Sequence, residues 1–264
     1  MRILFVGDVV GRPGRNAIGA LLPAIRDEHR IDLAIVNGEN AAGGAGLTAE
    51  IAHELHAFGA DVITNGNHVW DQKQFLKDID ALDFCLRPLN LAPGNPGRGW
   101  LIAKGVLVVN AIGRTFMAPA DDPFRAMDEL LAELEHPSPS ASGAQTPRIR
   151  VLDWHAEATS EKVAMGWHLD GRVSAVVGSH THVPTADARV LPGGTAHVSD
   201  TGMVGPRDSV LGMDRAIIVG RFRDGIPRRF EVAEGPVQFN SVVIDVDESS
   251  GRATSIQRVD REWQ

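Results

Sequence analysis

Four apolar runs in this chain each end on side chains able to bind a metal ion. Asp8 follows residues 3–6, Glu39 and Asn40 follow 33–36, Asn67 and His68 follow 62–63, and His180 and His182 follow 173–177. A further histidine, His155, comes directly after the run 149–154. In open α/β sheets, ligands collect beyond the carboxyl ends of the strands, so residues far apart in sequence can share one site. Each element alone has a plainer explanation. Asp8 could be a turn residue or helix cap, Glu39-Asn40 solvated turn chemistry, and Asn67-His68 a satisfied turn. His180-Thr181-His182 is harder to dismiss, because residues two apart on an extended strand end point the same way. Joint occurrence favours metal ligation.

The donor types narrow the metal. Carboxylates, carboxamides and imidazoles without thiolate suit manganese, iron or zinc better than copper(I) or a structural zinc cluster. An all-oxygen calcium or magnesium cage would not need three histidines. The single cysteine, Cys85, lies between Phe84 and Leu86 and reads as inert packing, which excludes a disulfide framework and a thiolate cage. The donors also outnumber what one tetrahedral ion can use. A two-metal centre bridged by Glu39 is the economical reading.

The elements that must position these groups follow from hydrophobic spacing. Residues 3–6, 33–36 and 62–63 read as buried strands. Between them, a helix opening at Pro13-Gly14 carries Ile18, Leu21, Leu22 and Ile25. A second, N-capped by Thr48, carries Ile51, Leu55 and Phe58. Further strands are expected at 106–112, 149–154 and 173–177, with a helix around 127–134 and a Pro/Ser-rich loop at 136–143. Beyond Ala196 strands dominate, at 216–219, 230–232 and 242–246. Alternating strands and helices imply βαβ units. The expected fold is α/β, with two packed mixed β-sheets flanked by helices in one domain spanning residues 1–264.

Composition bounds the function. The 264 residues are 43% hydrophobic and 23% charged, with a net charge of −8. That is a globular mixture with no basic face for stable binding of a nucleic-acid polymer. No apolar run reaches the roughly 18 residues needed to cross a bilayer, and no signal peptide is readable. A cytoplasmic location is the expectation.

The series Gly7-Asp8, Gly38-Glu39-Asn40, Gly66-Asn67-His68, His155 and Gly178-Ser179-His180-Thr181-His182 resembles the calcineurin-like metallophosphoesterase signature. More closely, it resembles the YmdB-like branch, phosphodiesterases acting on 2′,3′-cyclic nucleotides such as 2′,3′-cAMP. Two departures from the broad superfamily pattern fit that branch. Val10 stands where a ligand histidine is usual, and Glu39 replaces the usual bridging aspartate. The resemblance implies that Asp8, Glu39, Asn40 and His182 hold one ion and Asn67, His155 and His180 the second, with Glu39 shared. It implies iron or manganese, with zinc also compatible, in a divalent or mixed-valence pair. His68 matches the catalytic histidine that protonates the leaving alkoxide.

Weaker candidates remain. Gly11-Arg12-Pro13-Gly14-Arg15 lacks a P-loop ending and reads as a structural turn, with Arg12 and Arg15 as substrate-contact candidates. Phe116 is a candidate to stack on a base, and loops 86–100 and 115–123 are candidates for specificity. Asp153 or Asp200 is expected to hydrogen-bond a ligating histidine. His197 fits core and supporting roles equally. Ser179 has no nucleophile elbow. Competing functions are a slow metal- or nucleotide-binding regulator and a phosphomonoesterase using the same metals. The resemblance leans towards a homo-oligomer.

Overall fold

The computed structural model describes residues 1–136 and 146–264. The Pro/Ser-rich loop expected at 136–143 therefore lies, from 137 on, outside the described residues. Strand β1 (Arg2–Val6) runs through Gly7 into the short β2 (Asp8–Val9) and helix α1 (Gly11–His29). Then come β3 (Leu33–Asn37), α2 (Ala49–Ala57), β4 (Val62–Thr64) and the one-turn α3 (Phe75–Asp78). The next group is β5 (Trp100–Ala103), β6 (Val106–Ile112), α4 (Pro123–Glu135), β7 (Ile149–His155), α5 (Thr159–His168) and β8 (Ala175–Ser179). The chain ends with β9 (Arg189–Val190), β10 (Ala196–Val198), β11 (Met203–Pro206), α6 (Arg215–Asp224), β12 (Val237–Phe239), β13 (Ser241–Val246), β14 (Ala253–Arg258) and β15 (Arg261–Trp263).

The two expected sheets are present. One has the order β14-β13-β1-β3-β4 and the other β5-β6-β7-β8-β10-β9. Their central strands are buried on both faces, and strand alternation explains why. Ile3, Phe5, Leu33 and Ile35 point from the first sheet into a core shared with Val108, Val151 and Val177 of the second. The alternate residues Leu4, Val6, Ala34 and Val36 face Ile18 and Leu22 of α1 and Leu55 of α2. Leu152, Trp154 and Val176 on the far side of the second sheet pack against Leu130 and Leu131 of α4 and Met165 of α5. The layers are thus helix, sheet, sheet, helix.

A third sheet, β15-β12-β11-β2, accompanies these two. Its parallel pair, Asp8 with Met203 and Val9 with Val204, lifts Asp8 out of the first sheet. A two-residue strand carries too little pattern to be read from sequence. Residues 216–219 correct a second expectation, since they lie in α6 and not in a strand. The β-branched run Ile217-Ile218-Val219 favours strand locally. Both ends carry helix signals, however. The Asp214 side chain accepts from Ile217 N, and Gly225 closes the helix at φ 70°. Residues 230–232 form only an isolated bridge, Val232 to Met213. Among the described residues, no helix is long and apolar enough to cross a membrane.

Parallel register brings the carboxyl ends together. Val6 pairs with Val36, Asn37 with Thr64, and His155 with Ser179. Gly178 allows the segment after β10 to close over β8, because a Cβ there would overlap the carbonyl oxygen of Ser199. The obstacle is backbone, which cannot rotate away. Gly178→Ala should therefore destabilise the protein by roughly 3 kcal/mol or more, read as the shift in urea unfolding midpoint.

Candidate active site

The strand ends converge as their spacing predicts. Ligand-type atoms of Glu39, His155 and His180 all lie within 4.8 Å of one another. His155 Nε2 is 3.0 Å from Glu39 Oε1, from Asn67 Oδ1 and from His180 Nδ1. Beside them, His182 Nε2 lies 3.2 Å from Asn40 Oδ1. Asp8 is fully buried. Its Oδ2 accepts from the backbone N–H of His180 at 3.1 Å, while Oδ1 is buried with no hydrogen-bond partner.

Each of these groups is held in orientation by a neighbour. Ser179 Oγ donates to Asp153 Oδ1 at 2.6 Å and faces His155 Nδ1 at 2.9 Å. Its own proton being committed to Asp153, Ser179 Oγ accepts from His155 Nδ1, which turns Nε2 towards the cluster. His182 Nδ1 donates to the carbonyl of Leu211 at 3.0 Å, which turns its Nε2 towards Asn40. Asn40 Nδ2 donates to the Gly44 carbonyl at 3.0 Å, fixing Oδ1 as the inward atom. His180 and His182 sit at φ 99° and 63°, a left-handed backbone that non-glycine residues seldom adopt. Buried Lys162 and Asp200 brace that loop. Lys162 Nζ donates to Asp200 Oδ2 at 2.7 Å, and Asp200 Oδ2 accepts from Thr181 N at 3.1 Å. A Cβ on Gly66 would overlap His155 Nε2 and Glu39 Oε2.

The buried charges are unbalanced. Burial, with Glu39, Asp200 and Asp153 nearby, pushes the Asp8 carboxyl well up from its usual range. Burial likewise raises Asp153. For Glu39, burial is overcome by the adjacent His155 ring, which holds the carboxyl at about 2. Burial and then His155 depress His180 to about 3. Converging acceptors, an orphaned carboxylate oxygen and excess buried negative charge are what a divalent-cation site requires. Asp8, Glu39, Asn40, Asn67, His155, His180 and His182 are the residues able to fill it.

His68 lies on the rim, in the turn after β4. Its backbone N–H donates to Glu39 Oε2 at 3.2 Å, and its Nδ1 is 2.8 Å from Asp71 Oδ2. Sequence reading missed Asp71, whose i,i+3 spacing from His68 in a polar turn was the available signal. It also missed Glu157, with Oε2 3.0 Å from His180 Nε2. The expected hydrogen bond from Asp153 or Asp200 to a histidine is not direct: Ser179 Oγ stands between Asp153 and His155, and Asp200 accepts from Thr181 N. His68, Glu39, Asn40, Glu157, His180 and His182 line a cleft of about 460 Å³ together with the apolar side chains of Leu211, Met213 and Phe230.

The remaining candidates lie elsewhere or have structural partners. Arg15 is committed to Glu54 at 2.8 Å and the Ala41 carbonyl at 2.6 Å. Arg12 is exposed on the first turn of α1, and Phe116 is 87% exposed and does not line the cleft. His197 is buried on the outer face of β10, where a Cβ on Gly166 would come within 2.7 Å of its Nδ1. Cys85 is buried, and burial pushes its thiol up to about 12.

Burial pulls the His155 imidazole down, but the Glu39 carboxylate overcomes this and raises it from 6.5 to about 9. The raised His155 value and the lowered Glu39 value mean that the pair's stabilisation is complete between pH 4.5 and 6.5 and is lost as pH rises through about 9. In chelator-treated protein, the His155 ring signal in NMR should titrate near pH 9. Glu39→Gln should lower that midpoint and flatten the decline in stability across this interval.

The chain is similar to known proteins over nearly its whole length. A 2′,3′-cyclic-nucleotide 2′-phosphodiesterase of Bacillus subtilis is 49% identical over 98% of this chain and 96% of its own length. A hypothetical protein of Thermus thermophilus superimposes with a TM-score of 0.90 at 42% identity, covering 99% of each chain. A novel phosphatase of Mycoplasma pneumoniae does so at 0.89 and 32% identity, over 99% of this chain and 93% of that one. Residues 4–259 match the model of the YmdB-like protein family, and the chain belongs to that family.

Proposed function

We propose that this protein is a dinuclear-metal phosphodiesterase that hydrolyses small phosphodiesters, with 2′,3′-cyclic nucleotides such as 2′,3′-cAMP as substrates. The observation that carries this reading is the convergence of seven metal-type side chains at the strand ends with His68 on the rim above them. The Bacillus subtilis relative, bearing the name of that activity at 49% identity, supports the substrate class. Asp8, Asn40 and His182 would hold one ion, Asn67, His155 and His180 the other, and Glu39 would be shared. Iron or manganese, with zinc as the alternative, are the ions of this reading, with the cytoplasm as its compartment and a homo-oligomer as its assembly.

Bound divalent ions would supply Lewis-acid polarisation of the phosphoryl oxygens and a water ionised near neutral pH. The chain's own residues do the rest. Ser179, Leu211 and Gly44 fix the donor atoms of His155, His182 and Asn40, so little reorganisation is needed when substrate arrives. As water adds to phosphorus, giving up one proton to solvent, and the P–O ester bond breaks, the departing ribose oxygen takes a proton from Nε2 of the His68 imidazolium. Asp71 keeps the ring oriented by accepting from Nδ1, and the proton transfer leaves a nucleoside monophosphate and neutral His68. General-acid help of this kind is worth about 10²–10⁴-fold.

Manganese-loaded protein should hydrolyse 2′,3′-cAMP and lose that activity on chelation. His68→Ala should keep its metal content by elemental mass spectrometry while kcat falls about 10²–10⁴-fold. Asp71→Asn should lose less, and Glu39→Ala should lose metal together with turnover. Normal turnover by His68→Ala would refute the general-acid assignment. Turnover of p-nitrophenyl phosphate with none of 2′,3′-cAMP would identify a monoesterase instead. Nucleotide binding without turnover, whichever metal is loaded, would identify a regulator.

A further inference from the structure

The cleft has two unlike linings. Its polar lining is the cluster with His68; its apolar lining is Leu211, Met213 and Phe230. The apolar wall is built, not incidental. Val210 and Met213 exchange backbone hydrogen bonds at 2.9 and 3.0 Å around a two-residue turn. Leu211 and Gly212 occupy that turn at φ 54° and 90°. Such a turn prefers asparagine or glycine at its first position, so a leucine there is a strained choice. Its carbonyl orients His182, and the residue stays 45% exposed at the cleft.

The neighbouring segment is tied to the same turn. Ala233 N donates to Gly212 O at 2.9 Å and Asp214 N to Glu231 O at 2.8 Å, which pairs Val232 with Met213 and brings the adjoining Phe230 to the same cleft. The Arg221 guanidinium stacks 4.9 Å from the Phe230 ring centroid, bracing the ring. Beneath, the Met213 methyl fills the space that a side chain on Gly44 would take, and Val10 Cγ1 would meet a Cβ on Gly212 at 2.6 Å. Val10 thus supports the platform from a position where the broader superfamily pattern has a ligand histidine.

We infer that Leu211, Met213 and Phe230 form the nucleobase subsite, Phe230 offering the base the ring face that Arg221 leaves uncovered while the phosphodiester sits at the metal-type cluster. This deepens the proposed phosphodiesterase reading and rests on it. The chemistry fits a ligand that is anionic at one end and flat, weakly polar and aromatic at the other. Base–aromatic stacking is sequence-tolerant, so the wall should favour nucleotides over base-free diesters and discriminate little among bases.

The test compares 2′,3′-cAMP with ribose 2′,3′-cyclic phosphate, which has the same reacting group and no base. Wild-type protein should prefer 2′,3′-cAMP in kcat/KM. Phe230→Ala should reduce that preference about tenfold, through KM, as expected for loss of one stacked base. Phe230→Trp should restore it. Equal wild-type activity on the two substrates, or a Phe230→Ala loss shared equally by both, overturns the subsite while leaving the phosphodiesterase reading intact. A shared loss accompanied by a smaller sedimentation coefficient overturns it in favour of an interface between copies of the chain. No wild-type turnover of either substrate refutes the phosphodiesterase reading itself.

Discussion

The carboxylates of Asp8 and Glu39 are buried together where the strands of the two main sheets end, and much of the architecture answers that electrostatic burden. Placing a charged carboxylate out of water costs several kcal/mol unless opposite charge or hydrogen bonds offset it. Asp153 and Asp200 add to the burden from behind. His155, between Glu39 and Asp8, carries part of the compensation, and Lys162 neutralises Asp200. The remaining imbalance sits where imidazole and carboxamide donors already face inward. A divalent cation is the group that completes such a site.

The sheets act as the jig that makes this arrangement reproducible. Parallel pairing fixes Asn37 opposite Thr64 and His155 opposite Ser179, so the loops that follow start side by side. The third sheet contributes the remaining acid, because pairing Asp8 with Met203 diverts the chain from the first sheet at the point where the carboxylate is needed. Left-handed backbone at His180 and His182 then lets both rings reach the site from a loop braced by Asp200. Strain of this kind persists only where surrounding contacts over-determine it.

Cleft geometry and specificity come from a different part of the chain. The turn at Leu211-Gly212 uses its carbonyl to orient a candidate ligand and its side chain to form an apolar wall. One short segment therefore links the cluster to the surface on which a substrate body would lie. Val10 packs beneath that turn, where its methyl would meet a Cβ on Gly212 at 2.6 Å.

Local pattern alone was enough to establish the strand-and-helix alternation, the two main sheets and the metal-type side chains. Apolar runs mark strands, glycine and polar residues end them, and the donors stand directly after those ends. Thr48 was legible as a cap for the same reason, and its hydroxyl does accept from Ile51 N. Features that join segments distant in sequence emerge only in three dimensions. Ser179 shows no role until His155 and Asp153 are placed, since a relay exists only when its partners meet. The pairing of Asp8 with Met203 spans most of the chain and leaves no periodic trace. Residues 216–219 read as strand because β-branching is a local preference, which the caps at Asp214 and Gly225 override. The wall of Leu211, Met213 and Phe230 likewise forms only when two separate segments hydrogen-bond to each other, which no local spacing records.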